Sequence, residues 1–422
     1  MSAVNAGDTA WVLVSGALVL FMTPALALFY GGMVRAKSAL NMMMMSFAAM
    51  GVTTIIWVLY GYSFAFGKSH GGFIGGFDHL GLRGTLDQTV GQEGHQIPTL
   101  AFVMFQMTFA IITVALLSGA IADRAKFGSW IVFVAAWITC VYLPVAHWVF
   151  ASQNGEGGWI VDRIGALDFA GGLVVEINSG AAALALALVI GKRDGFKKDP
   201  MRPHNIPLVL LGAGGLWFGW FGFNAGSALS AGHLAATAMI NTQIATAAAS
   251  MTWIAFEKFR DGKATTLGVA SGAVAGAVAI TPACGYLNPL GALILGLIAG
   301  VVSAWAVTRK YKYGYDDSLD VVGVHGVGGI LGMLAIGFMA TATANASGVN
   351  GLLFNGGVRQ LDRQAIAIVV VALFSFAATW LIATLISKTI GFRVFRDDEL
   401  NGLDTTFHAE SAYDITGNSN RY

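Results

Sequence analysis

Eleven apolar runs, near 10–32, 40–66, 100–121, 128–150, 168–190, 206–226, 234–256, 265–283, 288–308, 320–341 and 365–390, occupy most of a 422-residue chain. Each is close to the ~20 residues that an α-helix needs to cross roughly 30 Å of hydrocarbon. Inside lipid a backbone must satisfy its own N–H and C=O groups, so such runs fold as helices. Composition agrees: only 11% of residues are charged, against about 25% in soluble domains. The 55 glycines against 8 prolines point to helices that approach closely through small residues. The chain reads as an all-α integral membrane protein with eleven transmembrane helices.

An odd number of spans puts the termini on opposite sides. Lys and Arg divide unevenly between alternate loops, nineteen of the 24 falling on one side together with the tail. The other side holds only Lys68, Arg83, Arg163, Arg359 and Arg363. This bias places the N-terminus outside and the C-terminus in the cytoplasm. The first run is too long for a signal-peptide core and is followed, not preceded, by Arg35, so it reads as a retained span. The membrane domain extends over 1–391 and a polar cytoplasmic tail over 392–422. A net charge of +1 gives no reason to invoke nucleic acid. Cys140 and Cys284 lie far apart with no disulfide framework. His70, His79 and His95, in the loop 67–99, lack the close spacing of a metal site.

Glu176 sits in the run 168–190, about 12 Å along it when counted from Asp168 at 1.5 Å per residue. A charge at that depth is expensive, and an intramembrane acid is by default a site. Its natural partner is His325, in another apolar run. Two further spans place aromatic rings on one helical face: Phe105 and Phe109 four residues apart, and Trp220, Phe223 and Ser227 at intervals of three and four. Rings beside a hydroxyl acceptor suit a small cation, because cation–π attraction reaches about 2 kcal/mol when desolvated. That falls far short of the tens of kcal/mol needed to strip a compact ammonium ion of water. A cation recruited there either keeps its water or gives up a proton before crossing.

Four segments then carry a resemblance: Asp168-Phe-Ala-Gly-Gly172 with Gly191-Lys-Arg193, Gly219 to Ser227, Thr281-Pro-Ala-Cys-Gly-Tyr286, and Asp320-Val-Val-Gly-Val-His-Gly-Val327. With them, from Leu28-Phe-Tyr-Gly-Gly32 to the tail, the chain resembles the Amt/Mep branch of the ammonium transporter (Amt/Mep/Rh) family. The resemblance implies a homotrimer in the plasma membrane, one pore per protomer, each built from two inverted five-helix halves plus a final helix. Val175-Glu-Ile177 and Val324-His-Gly326 occupy similar places in the two halves. It further implies that Phe105, Phe109, Phe150 and Ser227 form an outer ammonium-recruiting site, with Asp168 as the acid beneath it. Phe109 and Phe223 match a stacked gate, and Trp220 a pore-wall ring. An Asp at the opening of a helical run is also a natural N-cap, and both roles can hold together. No cofactor is implied. The segments Glu399 to Asp404 and His408 to Tyr413 resemble the cytoplasmic tail near which bacterial members dock a PII-type signalling protein.

Two positions depart from that pattern. Phe150 stands where the family usually has Trp, which keeps a π-face but loses the indole N–H; Trp148, two residues earlier, points elsewhere on a helix. Glu176 stands where most members have a histidine, as in one subgroup of fungal transporters. Glu and His share protons, so GluH–His and Glu⁻–His⁺ are close in energy and titrate as a pair. The expected activity is inward ammonium transport (methylammonium as a second substrate), with NH₃ conducted past Glu176 and His325 and the proton passed separately, a net electrogenic uptake. A sensor or an electroneutral channel with the same fold is the alternative. An enzyme is disfavoured, since neither a Gly-x-Ser-Gly element nor a His-Glu-x-x-His motif occurs.

Overall fold

A computed structural model describes residues 4–153 and 155–413. The described residues form long helices joined by short connections, with two small antiparallel hairpins, Ser69–His70 with Ile74–Gly75 and Thr89–Val90 with Ile97–Pro98, in the loop 67–99. The long helices are α1 Ala6–Met33, α2 Ala36–Phe66, α3 Thr99–Ile121, α4 Phe127–Phe150, α5 Gly172–Ile190 and α6 Ile206–Gly226. They continue as α7 His233–Asp261 and α8 Thr266–Ile280, then α9 Pro289–Tyr313, α10 Val322–Met339 and α11 Arg359–Thr389. Among the described residues nine of these are long and apolar enough to cross a membrane. The two exceptions have separate causes. α7 carries Asn241, Thr242, Gln243, Thr246, Ser250 and Thr252, which lower its hydropathy, and α8 is only 15 residues long. The α7 polar groups work within the protein: Asn241 Nδ2 donates to the carbonyls of Cys284 and Leu287 at 2.8 and 2.7 Å.

Helix starts follow the sequence. Asn5, Asn205, Thr265 and Asn288 each cap a helix by accepting the backbone N–H three residues on. Pro207 and Pro289 lie in first turns, where a missing N–H is harmless. α1 packs along α6, α7 against α8 and α9, and α5 against α11. Close approach at two crossings demands glycine. A Cβ on Gly212 would strike the Phe29 backbone of α1, and one on Gly180 would strike Gly326, where α5 meets α10.

At one end of the bundle the chain ties itself together with buried charge. Arg124, fully buried, donates to the carbonyls of Ala120, Ala122, Gly191 and Asp316 and to Ser318 Oγ. Arg193 grips Asp316 through Nε and Nη2 at 3.0 and 2.9 Å. Burial pushes the Asp316 carboxyl up, but the bonds from Arg193 and the charge of Arg124 outweigh it and hold it below the usual range. Asp317 goes the other way. Burial outweighs the attraction of Lys310, Asp320 adds to it, and the carboxyl is pushed up to about 6.

The tail docks on this same end. Lys126 and Val394 donate their N–H groups to the carbonyls of Phe392 and Arg124, forming a short antiparallel bridge. α12, Arg396–Asn401, carries the buried Glu399, which accepts from Asp194 N and from Arg393 Nη2. α13, Leu403–His408, carries Asp404, whose two oxygens accept the N–H groups of Leu40 and Asn41. The Tyr413 hydroxyl lies 3.0 Å from His204 Nε2 and 3.0 Å from Asn205 Nδ2.

Candidate functional site

Glu176 and His325 occupy corresponding positions on two interrupted helices. α5 opens with a π-helical turn over Gly172–Ile177 and α10 with one over Val322–Gly326, and each continues as 13 residues of regular α-helix. Wide turns of this kind re-aim side chains and recur at functional sites. Ahead of each turn stands an aspartate eight residues before the key side chain, Asp168 before Glu176 and Asp317 before His325. Asp168 accepts the N–H groups of Gly171, Gly172 and Leu173 at 2.8, 2.7 and 2.7 Å. Asp317 accepts that of Val322 at 2.7 Å. Asp168 thus has the capping role that its place in the sequence predicts.

The two turns bring Glu176 Oε2 to 2.7 Å from His325 Nδ1, with Glu176 1% and His325 4% exposed. The imidazole N–H donates when Glu176 is ionised; the carboxyl O–H donates when it is protonated. His325 Nε2 has no hydrogen-bond partner among the described residues. Both side chains line a narrow cavity of about 20 Å³. Roughly 10–15 Å³ of such space admits one water, so the cavity admits one small molecule at a time. Its other walls are apolar, including Phe29, Leu116, Trp220, Phe223 and Val274. Beyond His325 lies a second small space, lined by Tyr30, Ser271 and Asp320 among others.

The aromatic residues close the opposite end. Phe109 and Phe223 stack with ring centroids 4.1 Å apart and planes 22° apart. Phe105 meets Phe109 edge-on at 4.9 Å, and Phe150 meets it at 6.4 Å and 84°. Trp220 lies 5.9 Å from Phe223, and its indole N–H donates to Thr281 Oγ1 at 2.8 Å, which fixes the ring in the wall. Ser227 donates its hydroxyl proton to the Phe223 carbonyl at 2.8 Å. That leaves the oxygen lone pairs free to accept an N–H from a cation. Trp148 is turned away, its indole N–H on the Phe73 carbonyl and its ring 4.6 Å from Phe374. Phe150 is the ring presented to Phe109.

Of the nine residues singled out from sequence, Phe105 and Phe150 meet the Phe109–Phe223 stack, Ser227 bonds to the Phe223 carbonyl, Phe223 and Trp220 share a cavity with Glu176 and His325, and Asp168 caps the Glu176 turn. Sequence reasoning gave no role to Thr281 or to Phe29, Leu116 and Val274. Thr281 is a polar residue in an apolar run, which is a usable signal; the apolar three carry none, since a pore wall and a packed core use the same side chains.

A model of the Ammonium Transporter Family matches residues 10–413. The chain belongs to the ammonium transporter family. It is 52% identical over 98% of its length to an ammonium transporter of Mycobacterium tuberculosis, 92% of which is covered. To an ammonium transporter of Bacillus subtilis it is 46% identical, with 96% of this chain and 98% of that one covered. The fold is similar to that of Saccharomyces cerevisiae Mep2 at a TM-score of 0.85, with 32% identity over 93% of this chain and 91% of that one. A structure described as a sensor Amt protein is similar at a TM-score of 0.86, with 29% identity over 95% of this chain and 98% of that one.

Proposed function

We propose that this protein is an ammonium transporter that recruits NH₄⁺ at Phe105, Phe109, Phe150 and Ser227, removes its proton, and conducts NH₃ past Glu176 and His325. The observation that carries the reading is the buried Glu176–His325 pair at 2.7 Å in the wall of a cavity wide enough for one small molecule. A bare ammonium ion in such a space loses tens of kcal/mol of hydration, which apolar walls cannot return. Neutral ammonia loses little, and a Glu/His pair can accept the proton and pass it on. The product is net charge movement, an electrogenic uptake. Asp168, as a carboxylate below the recruiting residues, favours the cation on the outer side. Phe109 and Phe223 act as the gate.

In the membrane, α1 to α11 form eleven spans with the N-terminus outside and the C-terminus in the cytoplasm, as the Lys and Arg distribution supports. The matched π-turns, the matched aspartates and the Gly180–Gly326 crossing support two inverted five-helix halves followed by α11, a common transporter plan with its site near mid-membrane. Residues 1–391 form the membrane domain and 392–422 the tail, of which 414–422 lie outside the described residues. We place the protein in the plasma membrane as a homotrimer for nitrogen uptake, with methylammonium as a second substrate and the cytoplasmic face open to a PII-type signalling protein.

A second reading has one observation in its favour. The likeness to the sensor Amt structure spans 95% of the chain, and a receptor would bind ammonium with little flux. Ammonium-evoked current in proteoliposomes on a solid-supported membrane separates the two. We expect a saturable native current that K⁺ does not evoke, and a displaced pH profile for Glu176→His. Absence of current from folded, ammonium-binding protein would favour the sensor or an electroneutral channel. An unchanged pH profile in Glu176→His would remove the proposed role of the pair.

A further inference from the structure

Next along the chain from Glu176 and His325, Ile177 and Gly326 line a different space, a crevice of about 290 Å³ between α5, α10 and α11. Leu184, Ile330, Ala372 and Phe376 form much of its wall, and it shares no residue with the pore cavity. Glycine makes the crevice. At the Gly180–Gly326 crossing neither helix has a side chain to fill the angle between them, and Ala181 and Ala372 add little more. Leu373 in the same wall is 66% exposed, so the crevice opens outward from the bundle.

Its chemistry narrows the occupant. Roughly 10–15 Å³ holds one water, so there is room for several, yet a buried water needs two to four polar partners. Every side chain in this wall is apolar. A protein helix, about 10 Å across with its side chains, is too broad to enter. Hydrocarbon is left, and depth and charge say which kind. Phe376 lies twelve residues before Lys388, which stands in the last turn of α11. That is about 18 Å at 1.5 Å per residue. Half of the hydrocarbon core is about 15 Å, so the crevice lies near the mid-plane, where lipid chains end. Exposed apolar side chains lead from it toward the tail's end of the bundle: Trp380 on α11, 5.7 Å from Phe376, and Leu188 on α5. Each track ends in a lysine, Lys388 and Lys192. Both are exposed and make no ion pair among the described residues, whereas Asp194 and Glu399 at the same end are paired with Arg396 and Arg393.

We infer that the crevice holds one acyl chain of an anionic phospholipid whose headgroup sits at Lys192 and Lys388, in the leaflet on the tail's side. Basic residues at a membrane surface attract anionic lipid, and these two have no acid to neutralise them. The chain end packs against the Gly180–Gly326 crossing. It thereby backs the two π-turns that present Glu176 and His325 to each other. The lipid site does not depend on the proposed transport function.

The test places the full chain in phosphatidylcholine nanodiscs, carrying Cys140→Ser, Cys284→Ser and a bimane fluorophore on Leu373→Cys. Phosphatidylserine or phosphatidylcholine with a nitroxide near the end of one acyl chain is then added. We expect phosphatidylserine to reach half-maximal quenching at about fivefold lower mole fraction than phosphatidylcholine. Lys192→Gln combined with Lys388→Gln should abolish that preference. Ala181→Leu and Ala372→Leu, which fill the crevice from α5 and from α11, should each abolish it as well, with thermal unfolding showing that the variants fold. Equal quenching by the two lipids would overturn the assignment. A preference that survives both crevice-filling variants would do so too, since it would reduce the site to headgroup contact. A label quenched by neither lipid would show the crevice covered by protein, and the lipid would be excluded.

Discussion

Asp317 is a buried acid whose titration can be read against stability. Its carboxyl is pushed up to about 6 by burial, with Lys310 opposing and Asp320 adding. The folded protein therefore binds that proton more tightly than the unfolded chain does. This group penalises the fold above pH 6, and the penalty fades as pH falls from 6 toward 4. About two pH units correspond to roughly 3 kcal/mol. Asp317→Asn keeps an oxygen for the Val322 N–H and removes the charge. We expect thermal unfolding in detergent to show the variant more stable than the native protein at pH 7.5, with the difference reduced to about a third near pH 4.5. A constant difference across that range would contradict the assignment. Glu176, by contrast, was conspicuous in the sequence, because a lone acid in an apolar run has few explanations. Asp317 was hidden, since a run of polar residues at a helix entrance reads as an ordinary loop until its burial is seen.

At the level of elements, the sequence announced where the helices are but not how they are interrupted. Periodicity and length locate α5 and α10, yet nothing in Gly172–Ile177 or Val322–Gly326 signals a widened turn. Such turns arise from packing, here the Gly180–Gly326 contact and the aspartates that take up the N–H groups at the entrances. The tail was equally ambiguous, for its acids Asp397, Asp398, Glu399, Asp404 and Glu410 fit solubility as well as docking. The structure gives two of them definite tasks, Glu399 accepting from Asp194 and Arg393 and Asp404 reaching α2. Asp404 accepts the N–H groups of Leu40 and Asn41 at 3.0 and 2.8 Å, capping the first turns of α2 from 363 residues away. An N-cap contributes about 1 kcal/mol. Asp404→Ala should therefore speed amide exchange at Leu40 and Asn41 and loosen the tail, seen as faster proteolysis near Arg396. Asp404→Asn, which can still accept one N–H, should recover part of the protection. Unchanged exchange in Asp404→Ala would show that α2 is held by packing alone.

For the whole molecule, the governing term is where the bundle meets lipid. Phe47, Leu211, Leu373 and Leu381 are all more than half exposed, an apolar surface suited to hydrocarbon. Orientation in that bilayer rests on the loops. On the proposed eleven-span topology nineteen Lys and Arg fall on one side against five on the other, and each such residue in a short loop resists translocation. The buried network of Arg124, Arg193 and Lys310 adds a physical reason. Those side chains assemble the end of the bundle that receives the tail, which puts the tail and these three cations at the same end. With Cys140 and Cys284 replaced by Ser, single cysteines at Asp87 and Ser347 should react with a membrane-impermeant maleimide in intact cells. A cysteine at Lys263 should react only after permeabilisation. The reverse pattern would invert the protein in the membrane and put the aromatic gate on the cytoplasmic side, turning an uptake route into an exit. The three positions lie on loops between α2 and α3, α10 and α11, and α7 and α8, so agreement among them would also fix the parity of the spans between, including the less apolar α7 and the short α8.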